Sequence, residues 1–206
     1  MIICIKCKDF YWHLINKTYV IPTAVNKWEE LYYYVNFDWK QIFALPYNTT
    51  SETSLQSMQY TILNRFFPCK EALHEWNCEH DRMCIKCDIE ENLEHYFFHC
   101  SIVKTFWKQF FQWWNRISEC ILNLGALDII FGVMNETNDT MICVLNYCII
   151  IAKKYINSCK LQNCDCIFRR FAKTLKQRLI VEEYIATVNH SLEEFILKWG
   201  SVIDTL

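Results

Sequence analysis

The feature that most constrains this chain is a set of three cysteines and one histidine between positions 84 and 100. Cys84 and Cys87 are separated by two residues, His95 follows after seven more, and Cys100 after a further four. Two cysteines three positions apart fit a tight turn that directs both sulfur atoms at one ion. Zinc prefers four soft or borderline ligands in a tetrahedron, and three cysteines with one histidine is a common structural set. The spacing therefore predicts a structural zinc site with no ligand position left for a catalytic water.

Neighbouring residues compete for this site or support it. His99 adjoins the last cysteine and is expected to point elsewhere on a helix, so His95 is the expected nitrogen ligand. Cys78 lies nearby as a spare thiol. Glu91 and Glu94 could orient the ligands, although exposed acidic residues on a helix are the simpler interpretation. Coincidentally buried thiols and redox chemistry are the alternatives to zinc.

The cysteine content bears on the compartment in which such a chain would fold. Thirteen cysteines make an odd count, and many of them lie inside apolar runs, which favours a reducing compartment. The opening residues Met1 to Lys8 are too few and too soon charged for a secretory signal. We therefore predict an intracellular location, in the cytoplasm or nucleus, and interpret the five Asn-x-Ser/Thr sequences as chance matches.

Length and composition favour one substantial helical core. The chain has 206 residues, 52% of them hydrophobic, with only 3 Gly and 3 Pro, which argues against a turn-rich sandwich or barrel. The apolar run from Met141 to Ala152 is shorter than the roughly 20 residues of a membrane span, so we predict a buried core helix and no membrane partner. The predicted fold class is mainly α: a helical domain with a small embedded zinc hairpin of the CCHC type.

Apolar spacing predicts helices along most of the chain. The first 50 residues are aromatic and irregular, with short helices near 9–16 and 25–35 and a break at Pro46. Later helices are predicted over about Leu55–Phe66, Lys70–Trp76, Ser101–Leu122, Asp139–Lys160, from Cys166 onwards, and from a capping-box sequence at Ser191 through Trp199. Asp128–Val133 is a brief apolar piece between two of them. We predict three parts: a connector over 1–50, a helical domain over 51–135 with the hairpin at 84–100, and a helical region with a basic face over 136–206.

The helix that follows Cys100 has the clearest amphipathic pattern. Its apolar residues fill one arc of roughly 160° and its polar residues the other side. The apolar members are Val103, Phe106, Trp107, Phe110, Phe111, Trp113, Trp114, Ile117 and Ile121. We interpret this stripe as core, with a surface for stacking nucleic-acid bases as the alternative.

A basic segment lies further along the chain. Between Lys153 and Arg178 there are eight basic residues and one acid, Asp165. On the helix after Cys166, one exposed face is predicted to carry Arg169, Arg170, Lys173 and Lys176. Phosphate binding needs a local cluster of this kind, whatever the net charge, which is −2 here. An ordinary solvated helix face is the alternative. The stretch from Lys70 to Glu94, in contrast, holds eight acids against three bases, so the hairpin itself is not expected to lead a phosphate contact.

The segment CIKCDIEENLEHYFFHCSIVKTFWKQFFQWW resembles the zinc-binding segment downstream of the polymerase in non-LTR (LINE-type) retrotransposon reverse transcriptases. In that family a cysteine pair precedes the pattern E-x-x-x-H-L-F-x-x-C and then x-F-W. The residues that fall on it are Glu91, His95, Phe97, Cys100, Phe106 and Trp107, with Tyr96 in place of the usual leucine.

The resemblance extends beyond the zinc motif. LQSMQYTILNRFFPCKEALHEW, from Leu55 to Trp76, is similar to the family's Q-Y-x-I-L-x-R helix. IIFG at Ile129–Gly132 and KKYI at Lys153–Ile156 resemble its downstream pattern, and DFYWHLI with KWEELY resembles the connector that leaves the polymerase thumb.

The resemblance implies a C-terminal part of such a polyprotein, as a truncated copy or gene fragment, with a role in target-primed reverse transcription. The implied partners are RNA, single-stranded or nicked DNA, and the parent polymerase domain. No Phe/Tyr-x-Asp-Asp sequence is present, so the two-metal chemistry of nucleotide addition is not expected of this chain, and no catalytic residue is predicted. A zinc-stabilised interaction domain and a relic without a cellular role are the alternatives.

Overall fold

The computed structural model of the chain describes residues 21–118, 121–134 and 139–206. It forms two compact units, Met1–Phe37 and Asp38–Leu206. The helix predicted near 9–16 lies outside the described residues. In the described part of the first unit, helix α1 spans Thr23–Leu31, and the ring of Trp28 stacks on that of Tyr32 with 6.2 Å between centroids. The three-part division of the chain stays a prediction.

The second unit is built from helices and one short hairpin. Its helices are α2 (Trp39–Thr49), α3 (Thr53–Leu63), α4 (Lys70–Glu75), a π-helical turn (His95–His99), α5 (Ser101–Ser118), α6 (Ala126–Phe131), α7 (Thr140–Leu161), α8 (Phe168–Val188) and α9 (Leu192–Ile203). Among the described residues the sole β-type pairing is an isolated antiparallel bridge between Met83 and Glu90. The prediction of a mainly α fold with a small embedded hairpin is confirmed.

Several helix boundaries differ from those predicted. Helix α2 was expected to be irregular, yet it runs through Pro46, which has no N–H to donate to the Ile42 carbonyl one turn earlier. Asp38 caps the start of α2 by accepting a hydrogen bond from the Gln41 N–H at 3.0 Å. The capping box predicted at Ser191 is wrong, since that side chain makes no capping hydrogen bond to the start of α9.

The aromatic stripe of α5 forms the centre of the core, as predicted. Phe106 and Phe110 are completely buried, and the indole rings of Trp107, Trp113 and Trp114 are nearly so. Helix α5 ends at Ser118 instead of Leu122, so Ile121 lies outside the helix and is 91% exposed. Phe66, expected on the apolar face of α3, also lies beyond its helix and is exposed.

Helix α7 is the second central element. It is long and apolar enough to cross a membrane by length and composition, but most of it is buried inside the fold. This burial is what a core helix of a folded domain shows, as the sequence predicted.

Three of the segments in which the sequence resembles non-LTR reverse transcriptases outside the zinc motif meet at one buried polar cluster. Lys153 on α7 is completely buried, and its Nζ donates to the side-chain oxygen of Gln59 on α3 and, at 3.3 Å, to the carbonyl of Ile130 on α6. The Gln59 amide also donates to the Ile130 carbonyl, at 2.8 Å. These hydrogen bonds satisfy all three groups without a carboxylate.

Gly132, directly after α6, is required by its backbone and by its surroundings. Its φ is +89°, in the left-handed region. A Cβ atom there would lie 2.5 Å from the Leu45 side chain and 3.1 Å from the Asn146 amide oxygen. Asn146 holds the same turn by exchanging two 2.8 Å hydrogen bonds with the backbone of Val133.

The burial of Lys153 predicts a specific pH dependence of stability. Burial lowers the pKa of Lys153 to about 7, whereas an unfolded lysine titrates near pH 10. Above pH 7 the unfolded chain therefore binds one more proton than the folded chain, so the free energy of unfolding rises with pH. Between pH 7.0 and 8.5 we expect a gain of about 1.5 kcal/mol relative to Lys153→Met, measured by urea denaturation.

Lys154→Met is the matched control, because the neighbouring lysine is only partly buried. It should keep the pH dependence of the unaltered chain. The same pH dependence in the chain carrying Lys153→Met would show that this amine is not the titrating group.

Candidate metal centre

The hairpin that precedes the π-helical turn positions the first two cysteines. The Cys84 N–H donates to the Ile89 carbonyl at 2.8 Å, and the Asp88 N–H donates back to the Cys84 carbonyl at 2.9 Å. The Cys87 N–H also donates to that carbonyl, at 3.2 Å, and Asp88 takes a positive φ of 53° to complete the turn. This tight turn places the Cys84 and Cys87 side chains on one side of the hairpin.

A π-helical turn positions the other two members. The Cys100 N–H donates to the His95 carbonyl at 2.9 Å, a hydrogen bond between residues five apart. The wider turn brings positions 95 and 100 to the same side, which a regular α-helix would not do. Asn92 holds the start of the turn by accepting a hydrogen bond from the His95 N–H at 2.8 Å. Beyond it, the Cys100 carbonyl accepts from the Val103 N–H at 3.0 Å and so begins α5.

The four predicted residues come together in the structure. One ligand atom from each of Cys84, Cys87, His95 and Cys100 lies within 4.8 Å of the others. The Cys100 sulfur is 3.8 Å from the sulfurs of both Cys84 and Cys87. A tetrahedral zinc ion with Zn–S bonds of about 2.3 Å requires sulfur–sulfur separations of about 3.8 Å. The spacing of the sulfurs therefore fits zinc.

The histidine of this cluster has an unused ring nitrogen. His95 is 4% exposed, and its Nε2 has no hydrogen-bond partner among the described residues. Burial, assisted by the charge of Lys160, lowers the pKa of His95, so its ring is neutral and Nε2 can offer a lone pair. A buried polar atom without a partner is costly unless a ligand satisfies it. A metal ion among the three sulfurs would do so.

The surroundings of Cys87 and Cys100 shift the pKa values of the two thiols in opposite directions. Burial alone would raise the pKa of Cys87, but hydrogen bonds with the Ser101 hydroxyl at 3.1 Å and from the Ser101 N–H at 3.3 Å hold it below its ordinary value. Burial raises the pKa of Cys100 to about 12. Since a coordinated thiol is deprotonated, Cys100 would depend on the metal to become a thiolate.

Neighbouring candidates are placed outside this cluster. His99 has an exposed side chain 3.9 Å from Glu94, and Cys78 is exposed with its sulfur near the Trp76 carbonyl. Neither joins the four ligand atoms. Glu94 is partly buried, and burial raises the pKa of its carboxyl.

The expectation that Glu91 is an exposed acidic residue is wrong. It is only 8% exposed and forms an ion pair with Lys160 of α7 at 3.1 Å. The Lys160 ammonium also lies 3.9 Å from the centre of the Tyr96 ring, and the Tyr96 hydroxyl donates to Asn157 at 2.9 Å. These contacts attach the hairpin and the π-helical turn to the end of α7. Sequence reasoning had placed Lys160 in the basic cluster, because its partner is distant along the chain.

The basic face predicted on α8 is present and accessible. Arg169, Arg170, Lys173 and Lys176 are all exposed, and no ion pair joins them to an acid in the described part of the chain. The other basic residues of the segment do not all share this role. Lys153 is hydrogen-bonded to Gln59 in the core, Lys160 forms an ion pair with Glu91, and Arg178 forms an ion pair with Glu52.

Sequence reasoning missed a second part of the basic surface. Lys104, Lys108 and Arg116 on α5 are exposed at spacings of four and eight residues, and the first lies four residues after Cys100. Arg116 and Arg169 line the same shallow groove between α5 and α8, together with Gln109, Gln112, Ile167 and Phe168. The three α5 residues and the four α8 residues are together called the basic surface below. The spacing of these cations along α5 could be seen in the sequence, but the contact between α5 and α8 depends on tertiary packing.

The structure is thus a helical fold in which a short hairpin and a π-helical turn bring three cysteines and one histidine together. Residues 29–107 match the model of the zf-RVT family, described as zinc-binding in reverse transcriptase. All four members of the cluster fall within the matched range. No curated protein matches the chain. Residues 29–107 are thus similar to a zinc-binding segment associated with reverse transcriptase.

Proposed function

We propose that this chain is a non-catalytic, C-terminal zinc-binding segment of a non-LTR retrotransposon reverse transcriptase that helps to hold RNA or nicked target DNA. The observation that supports this most is the set of exposed cations on α5 and α8, which meet where Arg116 and Arg169 line one groove. The family match over residues 29–107 supports the association with reverse transcriptase.

In this proposal a single zinc ion is structural. Cys84, Cys87, His95 and Cys100 would hold the ion with four protein ligands, which would leave no place for an activated water. When bound, zinc would supply coordination bonds that hold the hairpin against the start of α5. The protein's own contribution is the turn geometry and the Ser101 hydrogen bonds to the Cys87 sulfur. Thiolate ligands need a reducing compartment, so we place the chain in the cytoplasm or nucleus.

The basic surface is suited to a flexible nucleic-acid strand. Seven cations on two adjoining helices provide phosphate contacts, while the groove between them offers the amides of Gln109 and Gln112 as donors. The indole and phenyl rings of α5 lie in the core, apart from the half-buried Phe111, so they do not supply a base-stacking platform. Binding should therefore be sensitive to salt and tolerant of sequence.

Neutralising the α8 part of the basic surface should weaken RNA binding. In a chain with Arg169, Arg170, Lys173 and Lys176 all changed to glutamine, we expect the dissociation constant for single-stranded RNA to rise roughly tenfold or more. The magnitude of the slope of log K against log salt should decrease by about 3, because each of the four lost phosphate contacts contributes about 0.7 to it. Fluorescence anisotropy with a labelled oligonucleotide measures both.

The control is a second chain with the same change in net charge. Lys27, Lys40, Lys86 and Lys198 lie outside the basic surface and are changed to glutamine in this control. It should retain the affinity and salt slope of the unaltered chain to within about a factor of two. Equal losses in the two variants, or binding insensitive to salt, would refute the phosphate-binding role of this surface.

A second candidate is a zinc-stabilised interaction domain that docks on the parent polymerase. Tyr33 and Tyr34, just after α1, are 86% and 70% exposed and present edge-to-face rings on the surface. Exposed aromatic residues of this kind are common at protein interfaces. Loss of co-purification with the polymerase domain on Tyr33→Ser and Tyr34→Ser, with RNA binding unchanged, would favour this second function.

A further inference from the structure

Three cysteines that take no part in the zinc cluster lie together where α7 ends. Cys159 is in the last turn of α7, and Cys164 and Cys166 are in the loop that leads to α8. The Cys159 thiol interacts with the thiols of both loop cysteines. Cys159 and Cys166 are buried, whereas Cys164 is half-buried. The proposed function uses none of these thiols.

The backbone at the end of α7 holds Cys159 and Cys164 close to each other. The Cys164 N–H donates to the Cys159 carbonyl at 2.9 Å, and the Asn163 N–H donates to the Lys160 carbonyl at 3.1 Å. Asn163 has a φ of +51°. These features define a Schellman motif, in which the side chains at the positions of Cys159 and Cys164 frequently touch. Standard bond lengths then keep the two Cα atoms within about 7 Å, which is the limit for a disulfide.

A second contact fastens the same loop to α7. The Tyr155 hydroxyl donates to the Ile167 carbonyl at 2.9 Å and accepts from the Ile167 N–H at 3.0 Å. The loop is therefore bound to α7 at Cys164 and again three residues later. The position of the Cys164 thiol beside α7 is set by these hydrogen bonds.

The two thiols differ in their access to solvent. Cys164 and Cys159 line an open cavity of about 400 Å³ between the zinc hairpin and the end of α7. Cys164 is the more exposed of the two, so a small molecule in the cavity meets its sulfur first. Burial raises the pKa of the Cys159 thiol, which therefore reacts second, and burial likewise raises the pKa of Cys166.

We propose that Cys159 and Cys164 form a reversible disulfide, with Cys164 as the residue that reacts first and Cys159 as the residue that resolves the intermediate. The oxidant is a low-molecular-weight disulfide of the glutathione type. The Cys164 sulfur attacks one of its sulfurs, which breaks the S–S bond and releases one small thiol. The Cys159 sulfur then attacks the Cys164 sulfur and releases the second small thiol. Two electrons pass from the protein to the oxidant, and the two protein thiol protons end on the two small thiols.

The disulfide would act on the residue that anchors the zinc hairpin. Lys160 lies between the two cysteines in the chain, and it holds Glu91 at 3.1 Å and the Tyr96 ring centre at 3.9 Å. The bond between Cys159 and Cys164 closes a short ring that includes Lys160. Amide hydrogen exchange over residues 160–164 should therefore become several-fold slower on oxidation. This inference does not rest on the nucleic-acid role of the chain.

Peptide mapping of the zinc-loaded chain after treatment with oxidised glutathione tests the proposal. Free thiols are alkylated, and the denatured chain is cut by trypsin and by a protease that cleaves before aspartate, which separates Cys164 from Cys166 at Asp165. The segment 155–160 should be joined to the segment 161–164 and should be released by excess reduced glutathione. Both segments alkylated and separate, a stable glutathione adduct on Cys164, or a link from 155–160 to 165–169 would overturn the proposal.

Three substitutions supply the controls. Cys164→Ser should abolish the link and leave Cys159 alkylated, with unchanged helical content by circular dichroism and one bound zinc. Cys166→Ser should keep the link, because this buried thiol is not a partner in the proposed bond. Cys78→Ser removes an exposed thiol and should also keep it. Loss of the link in folded Cys166→Ser, or loss of zinc in step with oxidation of the unaltered chain, would contradict the assignment to Cys159 and Cys164.

Discussion

A chain that carries serine in place of Cys84 is expected to purify without bound zinc, whereas the unaltered chain should carry one ion per chain. Zinc binds cysteine as the thiolate, and a serine hydroxyl does not replace it at neutral pH. Three ligands would remain, and the pKa of one of them, the Cys100 thiol, is raised to about 12 by burial, so this thiol opposes binding of an incompletely ligated ion. Metal analysis by mass spectrometry measures the loss.

The consequence for the fold should be confined to the hairpin. Between Asn77 and Glu90 Cys84 is the one buried residue, so this stretch has no apolar core of its own. Coordination of structural zinc contributes on the order of 10–16 kcal/mol in isolated zinc-finger peptides, and that energy is folding energy. Without the ion, trypsin should cleave readily after Arg82 and Lys86, while the buried helices α5 and α7 resist.

Three matched substitutions sharpen this prediction. Cys78→Ser removes an exposed thiol near the site and should leave one zinc per chain. His95→Ala should lose the ion or bind it far more weakly, whereas His99→Ala should not, because only His95 contributes to the cluster. A full equivalent of zinc in the chain with Cys84→Ser would refute the assignment of the ligand set.

Phe106→Ala is expected to destabilise the second unit by about 3–5 kcal/mol, as deletion of a fully buried phenyl ring usually does. The Phe106 ring is completely buried and contacts rings from three helices. Its partners include Trp107 on α5 at 5.2 Å, Tyr155 on α7 at 5.7 Å and Phe171 on α8 at 5.4 Å between centroids. The loss would leave a cavity at the point where α5, α7 and α8 meet.

Phe111→Ala is the control for this prediction. Phe111 is on the same helix but half-buried, and it stacks on Trp107 at 5.7 Å. We expect it to cost about half as much, since less apolar surface is lost and the site opens to solvent. Urea denaturation monitored by tryptophan fluorescence measures both. Equal costs for the two substitutions would show that Phe106 is not the central packing residue.

The features that could be predicted from the sequence are those set by local chemistry. The spacing of Cys84, Cys87, His95 and Cys100 predicted one cluster, because ligand chemistry depends on residue type and short separations. The amphipathic pattern of α5 predicted which rings are buried, because core packing selects one face of a helix. The exposed cations of α8 followed from the same periodicity.

The features that could not be predicted depend on partners far along the chain. The sequence alone suggests that Lys153 and Lys160 are surface residues. In the structure Lys153 is bound to Gln59, which is 94 positions away, and Lys160 is bound to Glu91, which is 69 positions away. The π-helical turn that aligns His95 with Cys100 has no marker in the sequence other than the spacing of the ligands. Arg116 joins the basic surface only because α8 packs beside α5.

The measurement that tests the account most directly is X-ray absorption at the zinc edge on the purified chain, combined with metal quantification. The account predicts one zinc ion per chain with three sulfur neighbours at about 2.3 Å and one nitrogen neighbour at about 2.0–2.1 Å. A chain without stoichiometric metal, or an ion with oxygen neighbours in place of one or more of these sulfurs, would contradict it.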